Sequence, residues 1–201
     1  MSPDLLAQLG LAAGGALASG LRVYGTVAVL GWLERLGVIH LPPGLAVLGE
    51  TPIVALATLL YVAEFLADKV PAFDSVWDAI HTFVRVPAAA VLAFAALGEL
   101  GEPWRVGAAL LSGGVALSVH GIKSGARLAV NTSPEPFSNW GLSMGEDLSV
   151  IGVLWLALSH PMVALAIAGV LLVLGGLLFA WIVRALRSLL RRASTVRTRG
   201  A

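Results

Sequence analysis

Acidic and basic side chains recur at helical spacing inside stretches of this chain that are otherwise apolar. Glu64 and Asp68 lie four residues apart. Asp74, Asp78, His81 and Arg85 step by four, three and four, and His120, Lys123, Arg127 and Asn131 step by three, four and four. Such steps place side chains on one face of an α-helix, so each set reads as a polar stripe. Arg22 sits alone in the first apolar stretch, and Ser143, Glu146 and Asp147 sit in a later one. An ionisable group within a membrane-crossing helix costs at least about 2.5–3.5 kcal/mol on insertion scales, so these groups should face one another or a wet cavity. The carboxylates and histidines suit proton or cation handling, and the Lys and Arg residues suit an anion.

The elements that must position these groups are membrane helices. The chain has 201 residues, 58% hydrophobic and only 12% charged, with a mean hydropathy of +0.88. A soluble domain is about 25% charged and could not hide so much apolar surface. Taking about 20 apolar residues per crossing, the expected architecture is an all-α polytopic bundle of about six spans: about 5–33, 51–67, 74–97, 104–130, 138–159 and 162–183. Residues 38–49, with Pro42-Pro43, are too short to span. Asp68-Lys69-Val70-Pro71 and Asn131-Thr132-Ser133-Pro134-Glu135-Pro136 break the chain into polar hairpins, because Pro removes a donor and disfavours helix before it. Asp74 is the expected N-cap of the third helix. Crowded Gly, Ala and Ser in the first and fourth spans predict close helix packing.

Six of the thirteen basic residues fall in the last eighteen positions, from Arg184 to Arg199. By the bias of Lys and Arg toward the cytoplasm, this tail, residues 184–201, is expected inside. Six spans then place both termini inside, in a bacterial inner (plasma) membrane. Trp32, Trp104 and Trp181 lie near span ends, as interfacial anchors do. The Met1-Ser2-Pro3-Asp4 start lacks the basic region of a cleaved signal, so the first span is read as retained. Leu186, Leu189 and Leu190 with Arg187, Arg191 and Arg192 read as an amphipathic anchor on anionic lipid.

Two hairpins bring polar faces to one membrane level, which defines the candidate pathway: Arg22, Glu64, Asp68, Lys69, Asp74, Asp78, His81, Arg85, His120, Lys123, Arg127, Asn131, Glu146 and Asp147. Ser138 and Asn139 join it through a loose echo between hairpins. Phe73-Asp74-Ser75-Val76-Trp77 and Phe137-Ser138-Asn139-Trp140 each open a helix after Pro. Helix starts present free N–H groups, and paired or broken helices around a polar centre are typical of transporters. A salt-bridge network that only locks the bundle is the plainer reading of the same residues.

At Gly20-Leu21-Arg22, Ala67-Asp68-Lys69-Val70-Pro71, Asp74-Ser75-Val76-Trp77-Asp78 and His81-Thr82-Phe83-Val84-Arg85, the chain resembles a bacterial membrane family called domain of unknown function 4126. The same holds for His120 to Arg127 and Asn131 to Asn139. The resemblance covers roughly residues 10–165. It implies a small bacterial multi-pass protein and carries no activity with it.

Three functions fit. The first is a transporter or channel for a small ion or anionic solute. The mixture of charge signs argues for coupled binding over a one-sign selectivity ring. The second is a membrane-embedded enzyme or lipid-headgroup binder, with carboxylates on a divalent ion and basic residues on a phosphate. No Walker loop, His-Glu-x-x-His or Gly-x-Ser-x-Gly supports that reading. The third is a structural or assembly subunit. With no cysteine, thiolate chemistry is excluded. No cofactor is expected, and a net charge of +1 gives no reason to expect nucleic acid. The expected partners are the lipid bilayer, the solute and a homo-oligomer.

Overall fold

The computed structural model describes residues 3–131 and 136–199, and their side chains except at residues 3, 71, 72, 74, 75, 131, 136 and 189–199. Among these residues there are seven α-helices and no strand: α1 (Pro3–Leu21), α2 (Val23–Arg35), α3 (Thr51–Ala67), α4 (Pro71–Ala96), α5 (Glu102–Asn131), α6 (Pro136–Ser159) and α7 (Pro161–Arg199). A single 3₁₀ turn, Ala46–Gly49, lies between α2 and α3. The expected polytopic helical bundle is what the chain forms. Five helices are long and apolar enough to cross a membrane, namely α1 and α4 to α7, while α3 is apolar but has only 17 residues.

The first expected span is not one helix. Arg22 adopts an extended backbone, φ −148° and ψ 99°, and separates α1 from α2. The chain doubles back there. Leu41 N–H donates to Glu34 Oε2 at 2.6 Å, and Leu41 also lines a hollow with Gln8 and Leu11. A straight helix would hold Gln8 and Glu34 about 39 Å apart, at 1.5 Å per residue. Leu30 of α2 consequently joins Leu11 and Ala12 of α1 in one apolar core, together with Leu41, Leu45 and Leu48 of the connection.

Helix α1 is the centre of the bundle, packed against α4, α5, α6 and α7. The small residues of the sequence permit this. A Cβ on Gly20 would lie 2.6 Å from Val119 Cβ and 2.7 Å from the Ala116 carbonyl oxygen of α5. A Cβ on Gly14 would collide with Ala157 of α6. Gly10 meets Pro161, so α1 and α7 start at the same end of the bundle.

Helix α4, the third of the expected spans, begins at Pro71 with Val70 as its cap residue, not at Asp74. Proline suits the first helical position, because the N–H it lacks would have no partner there. Pro87 lies inside α4, two residues past Arg85, and leaves the Phe83 carbonyl without its helical donor. The basic residues from Arg184 onward continue α7 as helix.

Burial is inverted relative to a soluble protein. The largest fully buried side chains are Arg22, Arg85 and Arg127, while Phe83, Leu110 and Leu148 are exposed. Apolar groups outside and charges inside is the arrangement a bilayer imposes.

Candidate functional site

The buried stripe of each long helix changes character along its length. On α4 it runs Asp78, His81, Arg85, then Ala89, Leu92, Ala93 and Ala96. On α6 it runs Asn139, Ser143, Glu146, then Val150, Leu154 and Ala157. On α5, which runs the opposite way, the apolar part comes first: Val115, Ala116, Val119, then His120, Lys123 and Arg127. Antiparallel order therefore gathers the polar halves at one level, where Arg22 turns the chain and α3 ends with Glu64 and Asp68.

Four cations and five carboxylates form one connected network there. Arg22 Nη2 is 2.6 Å from Asp68 Oδ2 and 3.3 Å from Glu146 Oε2, and its Nε is 2.6 Å from Asp147 Oδ1. The same Nη2 donates to Ser143 Oγ at 2.8 Å. Arg127 clasps Glu146 with two N–H groups, Nε to Oε1 at 2.9 Å and Nη2 to Oε2 at 2.8 Å, and reaches Asp68 Oδ2 at 2.9 Å. Arg85 pairs with Glu64 and, at 2.9 Å, with Asp78. The Arg127–Glu146 clasp is the fork-shaped contact that guanidinium favours, while Arg22 and Arg85 each bridge separate carboxylates.

Lys123 joins the two halves. Its Nζ donates to the Leu21 carbonyl oxygen at 3.0 Å and lies 3.3 Å from Glu146, 3.5 Å from Asp78 and 3.9 Å from Glu64. The Leu21 carbonyl belongs to the last turn of α1. Helix ends leave such oxygens free, and the negative end of the helix dipole attracts a cation there.

The histidines sit at the edge of the network with fixed tautomers. The Thr82 hydroxyl donates to the Asp78 carbonyl (3.1 Å), so it accepts from His120 Nε2–H at 2.7 Å. His120 Nδ1 is then free to accept from Arg85 Nη1 at 2.6 Å. His81 shows the other tautomer: Nδ1–H donates to the Trp77 carbonyl at 2.7 Å, and Nε2 accepts from the Tyr24 hydroxyl at 3.1 Å. Its ring also stacks on Trp77 at 4.3 Å.

Among the described residues, several buried polar atoms meet no hydrogen-bond partner: Glu64 Oε2, Asp68 Oδ1, Arg22 Nη1, and both amide atoms of the fully buried Asn139. Each is expensive unless water or a solute meets it. Next to Arg22 and Asp147, a cavity of about 410 Å³ opens between α2, α3 and α6, with Tyr61, Trp32 and Thr58 in its walls. Asp147, its side chain 17% exposed, is the network's most open member.

Of the residues anticipated from sequence, Arg22, Glu64, Asp68, Asp78, Arg85, Lys123, Arg127, Glu146 and Asp147 come together, with His81 and His120 beside them. Asn139 is buried on the same stripe of α6, and Ser138 is half-buried. Lys69 is not in the network. Its ammonium lies over the Phe65 ring, 3.3 Å from the centroid, with Trp140 beyond at 5.6 Å. The side chains of Asp74 and Asn131 lie outside the described residues. Ser143, Tyr24, Thr82 and Tyr61 were not anticipated as site members. Spacing alone flags Ser143, three residues before Glu146, and Thr82, next to His81. Among the described residues no trio of His, Asp or Glu converges as a metal-ligand set, so the divalent-ion reading gains no support.

A family model described as "Domain of unknown function (DUF4126)" matches residues 9–181. No curated protein and no solved structure matches the chain. Matched over most of its length, through all seven helices, the chain belongs to the DUF4126 family.

Proposed function

We propose that this protein is a small multi-pass transporter whose pathway runs through the ion network at the Arg22 turn. The observation that carries the reading is a single buried network, drawn from four helices and a chain reversal, that retains unpartnered polar atoms and borders a cavity. A network serving only stability is a poor use of so many charges, because desolvation offsets most of the attraction. The solute class is a small ion or anionic solute.

We place the protein in a bacterial inner membrane, with the Arg-rich end of α7 on the cytoplasmic side. Since α1 and α7 start at the same end, the start of α1 then faces the other side. This replaces the arrangement with both termini inside that six straight spans would give. The network lies nearer the cytoplasmic end of the bundle.

The test is flux in proteoliposomes under ion and pH gradients, using alkali cations, phosphate, sulfate and small carboxylates. The wild type should move at least one of these. Asp78→Asn and Lys123→Met should insert and assemble but lose movement. Absence of any wild-type flux, or equal flux in both variants, would sink the transport reading. Loss of assembly in both variants would favour a structural subunit instead, a reading supported by the pairing of every cation in the network.

A further inference from the structure

The cavity beside the Arg22 turn is polar at one end and aliphatic along the rest of its length. Arg22, Asp147 and Tyr61 make the polar end, and from there it follows α2 to Trp32 and Thr58. Residues 22 and 32 lie about 15 Å apart along that helix, at 1.5 Å per residue. The far end has its polar groups occupied. Trp32 Nε1 donates to Thr58 Oγ1 at 3.1 Å, and the Thr58 hydroxyl donates to the Val54 carbonyl oxygen at 2.7 Å.

The Arg22 end keeps unmet hydrogen-bonding capacity. Arg22 is fully buried, and among the described residues its Nη1 meets no partner, while Nη2 and Nε face three carboxylates. Asp147 Oδ1 is 2.6 Å from Arg22 Nε, yet its side chain remains 17% exposed. A free donor and a reachable acceptor thus stand side by side. Charged groups fit badly there. An anion would meet Asp147, and Arg22 already serves three acids. A cation would stand against the guanidinium. Either would exchange water for an apolar space, which is costly for a charge. A hydroxyl can accept from Arg22 Nη1 and donate to Asp147, with no charge to desolvate.

The way in is from lipid. Helix α3 packs on α2 but hardly on α6. Trp32 and Ile151 line the cavity and are also exposed on the apolar surface. The volume, about 410 Å³, falls within the range of small-molecule sites, about 300–1,000 Å³, and over this length it admits one alkyl chain. We propose that the cavity between α2, α3 and α6 binds a membrane-borne, single-chain amphiphile with an uncharged hydroxyl head. The head sits between Arg22 and Asp147, and the chain runs along α2 to Trp32. The inference concerns binding at this cavity and does not rest on the transport reading.

The experiment uses the full chain in phosphatidylcholine nanodiscs and a long-chain primary alcohol brominated at the end of its tail. Bromine quenches indole fluorescence at contact, so a bound chain reports on Trp32. Quenching should contain a saturable part, and Trp32→Phe should remove that part. The sulfonate and the primary ammonium with the same tail, at equal mole fraction in the bilayer, should bind at least about tenfold more weakly. Asp147→Leu should weaken the alcohol by up to about tenfold, as the loss of one hydrogen bond does. Ala28→Leu, which narrows the cavity, should abolish saturation.

Quenching of the wild type by the alcohol that never saturates, or a saturable part that survives in Trp32→Phe, would overturn the proposal. So would equal or tighter binding of the sulfonate or the ammonium. These outcomes hold even if the variants at Asp147 and Ala28 cannot be prepared. Saturable alcohol binding by a protein that moves no ion would leave this inference standing and remove the transport reading. Ion flux in a protein that does not bind the alcohol would do the reverse.

Discussion

Arg22 Nη2 meets Asp68 Oδ2 at 2.6 Å, with both side chains fully buried, and so ties the reversal between α1 and α2 to the end of α3. Removing one partner of such a pair leaves an uncompensated buried charge, which costs about 3–5 kcal/mol. Arg22→Met and Asp68→Asn should each lose about that much in denaturant unfolding followed by tryptophan fluorescence. The double variant should lose less than the sum by at least about 0.5 kcal/mol, since contacting residues couple. Strict additivity would show that the two charges do not act on one another.

The two lysines should separate cleanly. Lys69 lies over Phe65 at 3.3 Å from the ring centroid, a contact worth about 0.5–1 kcal/mol at exposed sites. Lys69→Ala should cost no more than about that, while Lys123→Ala, which strips three carboxylates of a shared counter-charge, should cost about 3 kcal/mol or more. Equal effects in the same unfolding assay would contradict the assignment of Lys123 to the network and Lys69 to its rim.

Close approach of α1 to its neighbours predicts opposite outcomes at two glycines five residues apart. Gly20→Ala places a Cβ against Val119 and Ala116 and should destabilise by about 1–3 kcal/mol through overpacking. Gly15→Ala meets nothing within 4 Å and should be neutral or slightly stabilising, as Ala is the better helix former. Melting temperatures of the two variants decide the point. A neutral Gly20→Ala would mean that α1 and α5 are not in contact there.

His120 and His81 should carry their protons on different nitrogens. The hydrogen-bond partners assign Nε2–H to His120 and Nδ1–H to His81. Nitrogen NMR of ¹⁵N-histidine-labelled protein, with each residue assigned by its His→Gln variant, should show one tautomer of each kind. The Thr82→Val variant should loosen the His120 preference, and Tyr24→Phe should leave His81 Nε2 without its donor. Finding the same tautomer at both sites would break the proposed arrangement of donors.

Much of this was legible in the sequence. Steps of three and four residues among Asp78, His81 and Arg85, and among His120, Lys123 and Arg127, are consequences of 3.6 residues per turn. Charged stripes on apolar helices have to face inward, because lipid solvates nothing polar. Hence the helical bundle, the polar hairpins and nine of the network's members could be named from residue types and spacing. The aromatic holding of Lys69 could not, because nothing local distinguishes an ammonium that pairs with acids from one that lies on a ring.

What tertiary structure decided was the reversal at Arg22 and the centre of the site. An unbroken apolar run from Leu5 to Leu33 gives no local reason to stop a helix: it has no proline, and one arginine is tolerated inside a span. The stop comes from long-range attraction, since Asp68, Glu146 and Asp147 lie 46 or more residues away and draw the guanidinium inward. That turn frees the Leu21 carbonyl, and only then does Lys123, 102 residues later, have an oxygen to hold. Spacing fixes which residues share a face, but which faces meet depends on how the helices pack.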